Sequence, residues 1–232
     1  DQAILLAKSI QETGRRLHGF EPNSEQAAMF AKNVQINGLS NVVMQGLGLW
    51  SESSVKLKLD GFDSFANAIA ATDEDAGFQT ITIDDYLANQ GCKLSLIQMD
   101  IEGAELAALK GAQHCIESSK PDILFEVHRS YVDWSNGLEN TDICQYLTQF
   151  GYHLFAIRDF NTHLDMSDAP IELIPVSKVY LEGPPHGFNM LAIHDVKRLS
   201  LSSYIIVENV SPKLLIHKNP KLHHPSYGLN FS

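Results

Sequence analysis

Carboxylates stand at three places where the sequence passes from an apolar run to a turn. They are Glu21 in Phe20-Glu21-Pro22-Asn23, the run Asp100-Ile101-Glu102-Gly103-Ala104-Glu105, and Glu126 with His128 in Phe125-Glu126-Val127-His128. A carboxylate at a strand end can accept both hydrogen bonds of a ribose diol, and a charge-assisted bond of that kind is worth ~1.5–3 kcal/mol. Glu21 could instead cap the helix that follows it, where negative charge is favoured. The rigid turn at Pro22 points towards a ligand. In the second run, Asp100 as a cap and Glu102 or Glu105 as a complement to the helix end would explain one or two acids, not three. The surplus points to a site.

These residues need a scaffold that brings strand ends together. Ala3, Leu6, Ala7 and Ile10 keep helical spacing, and Gly14 supplies a left-handed stop. Residues 16–20 then read as a short strand ended by Pro22. A helix through Ala27, Phe30, Ala31 and Val34 follows, with Asn23 and Gln26 resembling a capping box and Asn37-Gly38 as its end. Val42 to Gln45 is the next strand. Helix and strand alternating with short connections predict an α/β fold with a mostly parallel sheet. Val55, Leu57 and Leu59 alternate with lysines as in a half-exposed strand, and Gly61 to Gly77 reads as a mobile, acidic insertion.

The alternation resumes with strands at 80–83, 94–99 and 123–127, and with helices at 85–89, at 102–109 closed by Gly111, and around Ile143, Tyr146, Leu147 and Phe150. Two last strands, Tyr152 to Ile157 and Phe188 to Ile193, are joined by a polar connection without a full crossover helix. That predicts an antiparallel partner at the sheet edge. The domain is expected to run from 1 to 194, with 195–232 as an appendage. Ligands of open α/β sheets bind beyond the carboxyl ends of the strands, so Glu21, Asp100, Glu102, Glu126 and His128 are expected to share one crevice.

Composition narrows the partners. A formal charge of −11 in 232 residues lacks the clustered cations that nucleic acid requires. Cys92, Cys115 and Cys144 follow no metal-ligand or CxxC spacing, and the histidines are scattered, so no metal site is assigned and a reducing, cytoplasmic setting is expected. No apolar run reaches the ~18 residues of a membrane span.

Phe20-Glu21-Pro22-Asn23, Thr82-Ile83-Asp84-Asp85-Tyr86-Leu87, Gln98-Met99-Asp100-Ile101-Glu102-Gly103-Ala104-Glu105 and Phe125-Glu126 together resemble the ordered landmarks of the FkbM methyltransferase family, across about residues 1–160. The resemblance implies a Rossmann-like class I methyltransferase fold whose last strand, here Phe188 to Ile193, is antiparallel. It implies S-adenosylmethionine as methyl donor, with Glu21 at its ribose, Asn23 also among the cofactor-binding residues and Gly48 near its adenine. Asp100 and Glu102 would lie near donor or acceptor, and the acceptor would be a hydroxyl of a sugar, polysaccharide or secondary metabolite. His128, with an ordinary pKa of about 6.5, is the first candidate for the general base, followed by Glu126 and Asp100. The family's Asp-x-Gly-Ala-Asn-x-Gly loop would fall upstream of Asp1. The chain opens inside an uncapped helix, so further residues, including the first strand, are expected before it.

A strand-ending acid such as Glu21 also suits the ribose of a nicotinamide cofactor, and a non-catalytic binding domain is a third reading. The acid run at 100–105 and the antiparallel last pair favour methyl transfer.

Overall fold

A computed structural model of the chain describes residues 2–60, 67–70, 77–158, 169–181 and 187–212. The chain divides into two compact units. Asp1–Gly91 and Ala107–Ala112 form one; Cys92–Leu106 and Gln113–Ser232 form the other.

In the first unit, α1 (Gln2–Ile10) buries Ile4 and Ala7 along one face, and Gly14 beyond it has the left-handed φ of 74° that its position predicts. The strands β1 (Leu17–Phe20) and β2 (Val42–Gln45) pair in parallel, and α2 (Ser24–Ile36) connects them. Asn41 ties these pieces together. Its Nδ2 donates to the Ala7 carbonyl at 2.8 Å, and its own carbonyl accepts the Leu17 N–H at 2.9 Å.

The other strands of this unit, β3 (Gly48–Leu49), β4 (Lys56–Asp60), β5 (Asn67–Ala70) and β6 (Phe78–Ile81), form a sheet in the order β3-β6-β4-β5. Leu57 on β4 is buried, as the alternation there predicts. The segment read as an insertion contains β5, antiparallel to β4, while residues 61–66 and 71–76 lie outside the described residues. Helix α3 (Ile83–Ala88) starts on Thr82, whose hydroxyl accepts the Asp85 N–H at 2.9 Å.

The second unit is built on one six-stranded sheet. Its strands are β7 (Leu96–Met99), β8 (Asp122–His128), β9 (His153–Ile157), β10 (Ile171–Pro175), β11 (Gly187–Ile193) and β12 (Tyr204–Ile206), in the order β12-β10-β9-β11-β8-β7. Strands β7 and β8 are parallel, and β11 runs antiparallel to both of its neighbours. The expected antiparallel strand is therefore present, but inside the sheet rather than at its edge. The reason is its side chains: every residue of β11 except Leu191 is buried, whereas an edge strand leaves polar groups to water.

The connection taken as polar contains β10, antiparallel to β9. Its acid is masked by pairing, because Glu172 meets Arg158 and the Arg158 Nε donates to the Ser211 carbonyl at 3.1 Å. Leu173 and Ile174 beside it are fully buried. Strand β12 then pairs in parallel with β10, so residues of the segment set apart at 195 extend the same sheet. Residues 213–232 lie outside the described residues.

The helix expected from Glu102 begins three residues later, as α4 (Glu105–Lys110), because Glu102 and Gly103 both adopt positive φ. A further helix, α5 (Gln113–Ser119), is not foreseen in the sequence, whereas α6 (Asp142–Gln149) buries Ile143 and Leu147 as its spacing predicts. All three cysteines are free thiols, and burial pushes Cys144 up to about 11, into an inert range. Among the described residues no helix is long and apolar enough to cross a membrane.

Candidate functional site: a carboxylate cluster after β7 and β8

Strand β8 alternates strictly. Ile123, Phe125 and Val127 are buried on one face, and Leu124, Glu126 and His128 share the other. Across the sheet, β7 pairs Met99 with Phe125, so Asp100 follows at the level of Glu126. On the opposite side β11 sets Asn189 against Glu126 and Gly187 against His128. A Cβ on Gly187 would fall 2.6 Å from the Glu126 Oε1 and 2.8 Å from the His128 Cδ2. A larger residue there would displace both side chains from where they stand.

Between Asp100 and α4 the chain makes a tight turn, closed by the Ala104 N–H donating to the Ile101 carbonyl at 3.3 Å. Both central residues are left-handed, Glu102 at φ 52° and Gly103 at φ 97°, as in a type I′ turn. Glycine suits that geometry; glutamate does not. The turn is held from its far end by Glu105, which is only 5% exposed and accepts the Ile101 N–H at 2.8 Å and the Gly103 N–H at 2.9 Å. Burial pushes the Glu105 carboxyl up, against the backbone donors that favour its charge. Glu105 therefore serves the turn, and the other two acids of the run remain for other work.

One oxygen each of Asp100, Glu102 and Glu126 lies within 4.8 Å of the others. Three carboxylates this close favour a proton or a cation between them, and their convergence is the one expected of Asp100, Glu102 and Glu126 as residues at neighbouring strand ends. Burial, then the charges of Asp100 and Glu102, and a hydrogen bond to Asp100 push Glu126 up to about 7. Burial, reinforced by Asp100, also raises Glu102, and a hydrogen bond from Tyr131 opposes that shift. The result is a carboxyl poised to exchange a proton near neutrality.

His128 ends β8, and its Nδ1 accepts the Ser130 N–H at 3.2 Å. In the neutral ring that bond places the proton on Nε2. The ring stacks at a tilt on Tyr131, with centroids 5.3 Å apart. Tyr131, Gly187 and Asn189 are given no part in the site by the sequence reading. A glycine opening the last strand was the one visible signal among them, since the other two depend on register and on the turn after β8.

In the first unit, Glu21 follows β1 and its N–H donates to the Gln45 carbonyl at 3.0 Å. Its Oε1 accepts the Asn23 N–H at 2.8 Å, so the capping alternative is realised in part. The carboxylate keeps capacity for further donors. The Asn23 Oδ1 is engaged by the Glu25 and Gln26 N–H groups, at 2.9 and 3.2 Å, as the helix cap. Gly48 is buried in β3 under the Phe78 ring, whose Cε2 would lie 2.4 Å from an added Cβ. The Phe78 ring thus fills the side-chain direction at Gly48.

The sheet is mixed, with an antiparallel strand inserted between two strands that both run parallel to β7, and this is the arrangement that the class I methyltransferase resemblance implies. The chain belongs to the FkbM methyltransferase family: residues 2–154 match the methyltransferase FkbM domain. Among solved structures it is similar to methyltransferase FkbM from Methylobacillus flagellatus KT, with 17% identity and a TM-score of 0.47 over 82% of this chain. The match covers 41% of that protein, so the chain spans less than half of its length. No curated protein matches the sequence significantly.

Proposed function

We propose that the chain takes part in S-adenosylmethionine-dependent O-methylation of a hydroxyl on a sugar, polysaccharide or secondary metabolite. The observation that carries this reading is the convergence of the Asp100, Glu102 and Glu126 carboxylates, one oxygen of each within 4.8 Å of the others, in a chain of the FkbM methyltransferase family. When bound, S-adenosylmethionine supplies a methyl group on a sulfonium, an electrophile that needs little further activation. Glu21 suits its ribose, as a carboxylate at the end of a parallel strand with one oxygen already oriented by the Asn23 N–H.

Glu126 is the better general base. The Nδ1 of His128 is occupied by the Ser130 N–H, which leaves a protonated Nε2 that donates rather than accepts. The Glu126 carboxylate takes the acceptor's proton as the new carbon–oxygen bond forms and the carbon–sulfur bond breaks, and Asp100 shares that proton. Glu102 supplies a further acceptor for the substrate's hydroxyl groups.

Calorimetry of the full-length protein with S-adenosylhomocysteine should give binding that Glu21→Ala weakens, with none to NAD. With labelled donor and a panel of sugar, polyketide and peptide acceptors, transfer should rise with pH through about 7. Glu126→Gln should cost about 10²–10⁴-fold in kcat. No S-adenosylhomocysteine binding sinks the reading. Transfer that EDTA abolishes and Mg²⁺ restores would assign the three carboxylates to a cation instead of a shared proton.

A further inference from the structure

Glu102 sits in a backbone conformation that a glutamate adopts at a cost, and its Oε2 is buried without a hydrogen-bond partner. Buried acceptors are normally satisfied, and strained residues persist where the surroundings hold them in place. What holds Glu102 comes from the other strand of the cluster. Tyr131 lies in the turn after β8, where its N–H donates to the His128 carbonyl at 2.9 Å. Its hydroxyl acts on the Glu102 carboxylate as a donor and opposes the rise that burial causes there. Its ring lies over Gly103, where an added Cβ would be 2.8 Å from the Tyr131 Cγ and 3.0 Å from its Cβ. Glycine at 103 thus serves the left-handed turn and the seat of the ring together.

We propose that Tyr131 is a positioning residue: ring on Gly103 and hydroxyl on Glu102, it fixes the carboxylate beside Asp100 and Glu126, where that group meets a hydroxyl of the methyl acceptor. The last clause rests on the methyltransferase reading. The hold on Glu102 does not. The contact joins the turn after β7 to the turn after β8, so the strands that carry Asp100 and Glu126 are linked at the site as well as through their backbones.

Tyr131→Phe in the full-length protein keeps the ring and removes the donor. The acceptor KM should rise about tenfold, the loss of one bond to a charged group, with S-adenosylhomocysteine binding unchanged. The double variant with Glu102→Gln should be no worse than Glu102→Gln alone. Gly103→Ala, which unseats the ring from the other side, should raise KM in the same way. An unchanged KM, or effects of Tyr131→Phe and Glu102→Gln that add, overturns the proposal.

A second measurement is independent of catalysis. The ¹³C carboxyl resonance of Glu102 in glutamate-labelled protein, assigned with Glu102→Gln, should move in Tyr131→Phe at constant pH. An unmoved resonance also overturns the proposal. A moved resonance in a protein that transfers no methyl group upholds the hold on Glu102 and sinks the methyltransferase reading.

Discussion

The junctions β1–α2 and β7–α4 both pass from a strand through acidic residues into a helix, yet they spend those residues differently. At the first, the polar side chains answer backbone donors: Asn23 takes the Glu25 and Gln26 N–H groups, and Glu21 takes that of Asn23. At the second, one acid does this work alone, with Glu105 reaching back to the Ile101 and Gly103 N–H groups. Asp100 and Glu102 are then surplus to folding, and Glu102 occupies a left-handed position that a glycine or asparagine would fill at less cost. A junction that carries more carboxylates than it has donors to satisfy, in a strained turn, is shaped by something other than stability.

The contrast breaks most sharply if the two capping acids are removed. Glu105 is buried with two donors, so Glu105→Ala should lower the unfolding free energy by about 3 kcal/mol, measured by urea denaturation. Glu21 is partly exposed with one backbone donor in hand, and Glu21→Ala should cost below about 1 kcal/mol. Equal losses at the two positions would show that Glu105 is not the anchor of its turn and that Asp100 or Glu102 shares the capping.

A pH series sharpens the same contrast. Glu126 is raised from its ordinary 4.5 to about 7 by burial and by the neighbouring charges of Asp100 and Glu102. A carboxyl raised on folding binds its proton more tightly in the folded chain. Its contribution is fully present below about pH 4.5 and is lost as pH climbs through about 7. The melting temperature of the wild type should therefore fall between pH 5 and pH 8 by more than that of Glu126→Gln, which cannot titrate. Parallel curves for the two proteins would mean that the cluster imposes no electrostatic burden.

Much of the scaffold was legible because it follows local rules. The Gly14 stop, the Asn23 cap and the exact span of β2 come from spacing and turn chemistry. Strand β10 was hidden because Glu172 makes its sequence look polar, and only the pairing with Arg158 lets that acid lie between strands. The interior place of β11 likewise depends on which strands lie either side of it, a non-local fact. At the site, the acids announced themselves by number, but their division of labour did not. Nothing in the string separates Glu105 from Glu102, although one is held by two backbone donors and the other has an orphaned oxygen. Tyr131 follows Glu102 by many residues and meets it only after β7 and β8 have paired.

Glu102 is where stability and function should part, and the effect expected there is the smallest of the three. Asparagine tolerates left-handed backbone better than glutamate and carries no charge into the cluster. Glu102→Asn should raise the unfolding free energy by about 1 kcal/mol, from relief of backbone strain and of repulsion with Asp100. The same change removes the partner of Tyr131 and an acceptor from the site, so methyl transfer should fall as stability rises. The opposite signs matter more than the sizes. A variant that loses both stability and activity would mean that Glu102 supports the turn as Glu105 does, and the two junctions would then differ only in how many acids they need for the same task.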